Sequence, residues 1–190
     1  MPQAKPKLVA FAGSHRTGSW NVKLIHAAAE EARAQGADVE VIDLGALPMP
    51  IFDEDLEAAG TPENAATFKA KLKAADGFLI SSPEYNSAYP ALVKNVIDWA
   101  SRPAPEEAPL AAFSGKACGL FAASPGALGG IRMLPQLRNL LANIGVHVVP
   151  TQFGLGKAHE AFGPGGKLTD ERALGMVKRV VQQTIEIASR

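Results

Sequence analysis

The chain has a single cysteine, Cys118, in 190 residues. No internal disulfide is possible, and a reducing compartment is the matching expectation. It also has no net charge, since 19 Lys and Arg balance 19 Asp and Glu. That removes the basic surplus that seeks nucleic acid or anionic lipid. It equally removes the acidic surplus of a small charged electron carrier. No stretch approaches the ~18 apolar residues of a membrane span. The opening Met1 to Lys7 leads into only six small or apolar residues before Ser14, too short for a secretory signal core. No group of His, Cys and Asp has metal-ligand spacing, and no internal repeat or low-complexity block interrupts the chain. The expectation is one cytoplasmic domain over residues 1–190, with neither nucleic acid nor membrane as partner.

Apolar residues make up 47% of the sequence, enough for a sizeable core, and their pattern alternates. Leu8 to Ala12 is a continuous apolar run, followed by a helical pattern from Trp20 to Gln35 that Gly36 stops. Val39 to Ile42, Gly77 to Ser82, Ala117 to Ala123 and Val146 to Val149 supply four more strands. Helices fall between them, one starting at Thr61 as N-cap with Pro62 at N1, another over Tyr89 to Ala100, and a third carrying Leu134, Leu137, Leu141 and Ile144. A last helix follows Thr169 as its cap, with Asp170 and Glu171 in the first turn. Five apolar strands alternating with five helices predict a doubly wound α/β domain, a five-stranded parallel sheet of order 2-1-3-4-5. In such sheets a ligand sits beyond the carboxyl ends of the strands, near the switch between strands 1 and 3.

Three loops stand there. After strand 1 comes Gly13-Ser14-His15-Arg16-Thr17-Gly18-Ser19, with Asn21 in the next turn. A helix N-terminus with added hydroxyls and one arginine suits an anion. Ser19 replaces the lysine of a phosphate-binding P-loop, and His15 replaces the middle glycine of a dinucleotide fingerprint. What remains suits a terminal monophosphate better than a pyrophosphate. After strand 3 comes Ser82-Pro83-Glu84-Tyr85-Asn86-Ser87-Ala88-Tyr89-Pro90. Its aromatics and amide offer a stacking surface and hydrogen bonds to a planar heteroaromatic ring, or a turn packed on the sheet edge; the residues leave both open. After strand 4, Ser124-Pro125-Gly126-Ala127-Leu128-Gly129-Gly130 holds three glycines in five residues. These fit close approach to a flat ligand or an ordinary turn. Convergence of the three loops on one crevice is the stronger signal.

Together these residues resemble a known family. Gly13 to Asn21 is similar to the G-S-x-R-x-x-S-x-N loop of the NAD(P)H-dependent FMN reductases, and Pro83 to Trp99 to their P-E-Y-N…P-x-x-L-K-N-x-x-D-W signature. The stretch Ala161 to Glu171 resembles the segment before that family's last helix. The resemblance implies a flavodoxin-like fold, bound FMN, and NADPH or NADH as electron donor. It implies a hydride passing from the nicotinamide to flavin N5, then two electrons leaving to a small-molecule acceptor of quinone, azo, flavin or metal-oxyanion type. Ser14, Arg16, Ser19 and Asn21 would hold the phosphate. Pro83, Glu84, Tyr85, Asn86 and Ser87 would line the isoalloxazine ring, with Ser124 and Gly126 bordering it. No residue would act as catalytic acid or base, because the flavin carries the chemistry. Family members are homodimers or homotetramers, with the helices after Tyr89 and Gly126 as the interface. Two positions depart: Ala88 stands where a serine is common, and Ala91 where a glycine is. The alternative is a flavodoxin-type carrier that does not itself oxidise NAD(P)H, a role the balanced charge argues against.

Other residues read as structure. His147 in its apolar strand reads as a packed core histidine, Cys118 as buried packing, and Asp98 and Trp99 as packing, capping or subunit contact. Asp53, Glu54, Asp55 and Glu57 read as a solvated loop. The glycine-rich Phe153 to Gly166 is long for a plain connection and reads either as a lid or neighbour contact or as a disordered loop.

Overall fold

The computed structural model describes residues 5–190. Strands β1 (Lys7–Ala12), β2 (Asp38–Ile42), β3 (Gly77–Ser81), β4 (Ala117–Ala123) and β5 (His147–Val148) form a parallel sheet in the order β2-β1-β3-β4-β5. The expected doubly wound α/β topology is therefore present. Helices are α1 (Trp20–Ala34), α2 (Glu54–Ala59), α3 (Glu63–Ala74), α4 (Ala91–Ser101), α5 (Met133–Asn143), α6 (Ala158–Ala161) and α7 (Glu171–Ala188). Alternate residues of each strand feed opposite faces. Val9, Phe11, Phe78, Ile80 and Leu120 pack with Phe68 and Leu72 of α3, Val93 and Val96 of α4 and Leu137 of α5. Leu8, Ala10, Leu79 and Phe121 pack with Leu24 and Ala28 of α1 and Val177 and Val180 of α7. Burial on both faces is why the strands read as unbroken apolar runs.

The fifth strand is split. His147 and Val148 pair with Ala117 and Cys118, but a sixth segment, β6 (Phe153–Leu155), pairs with Phe121 to Ala123 on the same edge of β4. Pro150 has no N–H for the ladder, and the register slips by two residues across it (Ala117 pairs with 147, Phe121 with 153). The Arg138 guanidinium donates to the Val148 and Val149 carbonyls at 3.0 and 2.7 Å, closing the break.

Several local expectations change. α3 has Pro62 rather than Thr61 at its N-cap and no side-chain cap, since Pro62 keeps extended dihedrals (φ −56°, ψ 140°). α7 is capped by Asp170, whose carboxylate accepts from Ala173 N at 2.7 Å, not by Thr169; Thr169 Oγ1 instead donates back to Ala161 O. The acidic run is not a loop but α2, capped by Asp53, with Glu57 holding Arg102 at 2.8 Å. His147 is exposed, not packed in the core, because it sits at the first position of a two-residue edge strand. Cys118 is buried, and burial pushes its thiol above the ordinary value. Trp99 is buried and its indole donates to Pro50 O at 2.9 Å, while Asp98 pairs with Lys94. Phe153 to Gly166 is neither loose nor unstructured. It contributes β6, α6 and a 3-10 turn (Pro164–Gly166), and Phe162 stacks on Trp20 with ring centroids 5.7 Å apart.

Beneath the sheet, at the amino ends of the strands, polar groups are closed off by the chain itself. The Lys116 ammonium donates to the Leu72, Lys73 and Ala75 carbonyls at 2.5, 2.8 and 2.6 Å, satisfying the end of α3. Burial draws that amine down to about 8, against the opposing pull of Asp76.

Candidate functional site

The three loops meet at the carboxyl end of the sheet. Gly13 starts the first, its N–H on the Ser81 carbonyl at 2.8 Å. A Cβ there would stand 2.4 Å from Val93 Cγ2, so only glycine lets β1 and α4 come this close. Past it the chain turns with little internal bonding. Ser14 Oγ accepts from Arg16 N at 3.3 Å, and Ser19 N donates to Arg16 O at 3.0 Å. Ser19 Oγ only just reaches Val22 N, at 3.5 Å. The N–H groups of His15, Thr17, Gly18, Trp20 and Asn21 meet no acceptor among the described residues. Ser14 and Ser19 are buried beneath them, while residues 15–18 are exposed. Open backbone donors at the positive end of a 15-residue helix, with two buried hydroxyls, have the chemistry that suits a terminal phosphate.

Two expected phosphate ligands look elsewhere. The Asn21 amide is buried among strand ends: its Oδ1 accepts from Ala123 N at 2.9 Å and from Ser81 Oγ at 2.9 Å, and its Nδ2 donates to Ala123 O at 3.0 Å. It ties the start of α1 to β3 and β4. The Arg16 guanidinium folds on its own loop, donating to Thr17 O at 2.9 Å and Gly18 O at 3.3 Å. It borders a cleft of about 330 Å³ on the β2 side of the loop, walled by Val22, Ile25, Val41 and Leu44.

The loop after β3 is a tight hairpin. Tyr85 and Ala88 exchange both backbone hydrogen bonds, at 2.9 and 3.1 Å, around Asn86 (φ 52°) and Ser87 (φ 68°). Positive φ at both central positions is the geometry of a type I′ turn, which asparagine tolerates well. Tyr85 is 54% exposed at the rim, and Tyr89 is half-buried against the core. Ser82 is held by its N–H on Phe121 O at 2.9 Å. Glu84 faces away from solvent. Its Oε1 accepts from Arg132 Nε at 2.7 Å, with Nη2 in ion-pair contact at 2.6 Å, and its Oε2 accepts from the backbone N–H groups of Arg132 and Met133 at 3.0 and 3.2 Å. Burial alone would raise the Glu84 carboxyl, but these hydrogen bonds outweigh it and hold the group below its ordinary value.

The loop after β4 lies on β6. A Cβ at Gly129 (φ +60°) would stand 2.6 Å from Gly156 N and 2.7 Å from Gly154 C. One at Gly156 would stand 2.2 Å from Ala127 O. Gly129 and Gly156 thus serve loop-on-strand backbone packing rather than ligand approach. Gly126 differs, with nothing nearer than Ser124 Oγ at 3.8 Å. Its open side, the exposed Tyr85 and the open donors of residues 15–21 have the chemistry that fits a phosphorylated planar cofactor such as FMN.

A family model for the NADPH-dependent FMN reductases matches residues 6–160 of the chain. The chain belongs to this family. The NADPH-dependent FMN reductase fold extends across it: a NAD(P)H-dependent FMN reductase of Pseudomonas aeruginosa is 34% identical over 180 residues, covering 93% of this chain and 91% of that protein. A NAD(P)H:quinone oxidoreductase of Solanum tuberosum is 34% identical, with 92% and 89% covered. Among solved structures, the flavoenzyme NAD(P)H:(acceptor) oxidoreductase FerB of Paracoccus denitrificans superposes with a TM-score of 0.81 at 29% identity, covering 95% of this chain and 97% of FerB.

Sequence reasoning placed Ser14, Ser19, Pro83, Tyr85, Asn86, Ser87, Ser124 and Gly126 on the three converging loops, and the structure brings them together there. It missed Arg132 and Gln136, which hold the second loop from 48 and 49 residues away. One signal was available. The residues before α5, Gly129-Gly130-Ile131-Arg132, include no Ser, Thr, Asp or Asn to cap it, which leaves room for a side-chain cap from elsewhere.

Proposed function

We propose that this chain is an FMN-dependent oxidoreductase that draws on NADPH or NADH and delivers two electrons to a small acceptor of quinone, azo, flavin or metal-oxyanion type. Membership of the NADPH-dependent FMN reductase family supports the cofactor and the donor. The observation that carries the reading to this chain's own residues is the set of N–H groups without a described acceptor beside buried Ser14 and Ser19, at the same end of the sheet as the loops of Tyr85 and Gly126. Ser14, Ser19 and the backbone of residues 15–21 bind the phosphate, with Arg16 adding charge from the rim. Asn21 supports them by fixing the start of α1. Pro83, Tyr85, Asn86 and Ser87 border the ring on one side and Ser124 and Gly126 on the other, with Glu84 contributing its backbone. When bound, FMN supplies the two-electron chemistry between donor and acceptor. The protein binds and orients it and excludes water; no side chain is required to move a proton.

Donor and acceptor use one crevice in turn, which makes the kinetics ping-pong. The protein works as a homodimer or homotetramer in the cytoplasm. Exposed Leu128 and Ile131 (each 58%), just before α5, provide apolar surface for the subunit contact. Among the described residues no helix is long and apolar enough to cross a membrane.

The test is purification, FMN quantification and anaerobic addition of NADPH, followed by turnover with a benzoquinone. The expected result is a yellow protein that bleaches with the nicotinamide and gives parallel double-reciprocal plots. A colourless protein that neither takes up FMN nor oxidises NADPH or NADH overturns the reading, and intersecting plots overturn the ping-pong order.

A further inference from the structure

Glu84 was expected beside the flavin ring, yet its carboxylate is engaged by α5. Three N–H groups of Arg132 and Met133 hydrogen-bond its two oxygens, and the Arg132 Nη2 adds an ion-pair contact at 2.6 Å. The side chain is only 9% exposed. What these bonds join is specific. α5 begins where the loop after β4 ends and has no side-chain cap of its own; locally the Met133 N–H reaches only the Gly130 carbonyl, at 3.2 Å. Glu84 supplies that cap from the loop after β3, placing a negative charge at the positive end of the helix. One turn further along α5, Gln136 Nε2 donates to Ser87 O at 2.5 Å. The helix end therefore grips the second loop on both sides of the Tyr85–Asn86 turn. Gly130, in the third loop, sits against the same spot: a Cβ there would lie 3.8 Å from Glu84 Cβ and 2.7 Å from Ala122 Cβ.

We propose that Glu84 is a positioning residue which, through the N-terminus of α5, fixes the loops after β3 and β4 relative to each other and so sets the walls of the flavin-ring site. The inference rests on the FMN reading above. It separates two halves of the site. The phosphate loop has no bond to this cluster among the described residues, so disturbing Glu84 changes recognition of the ring and not of the phosphate.

The experiment titrates FMN-free full-length protein with FMN and with riboflavin, which lacks the phosphate, and follows the quenching of flavin fluorescence. In Glu84→Gln the side chain keeps its shape, but one acceptor becomes a donor facing the Arg132 donors. The expected result is that the Kd values for FMN and riboflavin rise together by about tenfold, the effect of one lost charge-assisted hydrogen bond. The visible absorption band of bound FMN shifts as well, which a purely structural loss would not cause. Arg132→Ala retains the backbone cap and serves as the milder variant, with a parallel rise of about threefold. A fall in FMN affinity with riboflavin unchanged overturns the proposal, because it places Glu84 on the phosphate side. Unchanged affinity for both flavins in Arg132→Ala and in folded Glu84→Gln also overturns it. If wild-type protein binds neither flavin, the cofactor reading fails and this inference with it; if wild type binds and the variants match it, only the role of Glu84 fails.

Discussion

The phosphate loop and the two ring-side loops occupy the same end of the same sheet, but they are built on opposite principles. Between Ser14 and Asn21 the chain leaves its donors open: five backbone N–H groups lack a described acceptor and the Ser19 hydroxyl is barely engaged. The loops after β3 and β4 are closed. Tyr85 pairs with Ala88, Glu84 with Arg132 and Met133, Ser87 with Gln136, and Gly129 lies on the backbone of Gly154 to Gly156. Open donors at exposed positions are left to water until an anion replaces it; closed walls hold their shape without a ligand. A terminal phosphate can be captured by a loop that adjusts to it. A flat ring approached by a second substrate needs walls already in place.

The contrast breaks most visibly at Gly129. Alanine there must hold φ near +60° and place its Cβ 2.6 Å from backbone that cannot move aside. Gly129→Ala is expected to lower the unfolding free energy by about 3 kcal/mol, combining left-handed strain with overpacking. Urea denaturation of the FMN-free protein measures this, and a loss below about 1 kcal/mol means the loop is not locked on β6. Asn21→Ala is the next largest. By sequence Asn21 belongs to the open loop; by contact it belongs to the closed region, since it satisfies both backbone groups of Ala123. Leaving those groups buried and unpaired is expected to cost about 2 kcal/mol in the FMN-free protein. A stability loss that appears only with FMN present would return Asn21 to the phosphate.

The same contrast explains what could be read in advance. The phosphate loop is local: helix start, hydroxyls and glycines lie within nine residues, so its chemistry is legible in order along the chain. Strand positions were equally legible, because residues buried on both faces leave unbroken apolar runs. The side-chain ties of the closed region join partners 48 or more residues apart, such as Glu84 with Arg132 and Asn21 with Ala123. No periodicity reports that distance, and so Glu84 read as a ring contact and Asn21 as a phosphate ligand. His147 misled for a related reason. Its apolar neighbours Val146 and Val148 are buried, but alternation on a two-residue edge strand turns His147 outward. The split of the fifth strand could be suspected only from Pro150, and its two-residue slip not at all.

Acid sharpens the comparison further. The Glu84 carboxyl lies below its ordinary value in the folded chain, so the unfolded chain takes up its proton first as pH falls. Its stabilisation is complete above the ordinary glutamate value of about 4.3 and disappears as pH drops through the folded-state value. At neutral pH wild type is expected to exceed Glu84→Gln by about 1.5 kcal/mol in unfolding free energy. The gap should close as the solution is acidified below about pH 4. A gap constant from neutral to acid conditions would show that the ionised form of Glu84 is not what holds α5.

Arg16 gives the smallest effect and the finest test of the open loop. Its guanidinium is exposed and, among the described residues, bonds only to the carbonyls of its own two successors, Thr17 and Gly18. Removing such a surface contact is expected to change the stability of FMN-free protein by no more than about 0.5 kcal/mol. If Arg16 reaches the phosphate from the rim, Arg16→Ala weakens FMN binding by a few-fold at low salt. Because the pair is solvent-exposed, the difference from wild type shrinks as ionic strength rises past the point where the Debye length is about 10 Å. Riboflavin affinity should not change at any salt concentration. An Arg16→Ala protein whose FMN affinity matches wild type at low salt, but whose KM for NADPH rises while that for NADH does not, would move Arg16 from the cofactor to the nucleotide donor. The phosphate of FMN would then be held by backbone N–H groups and the hydroxyls of Ser14 and Ser19 alone.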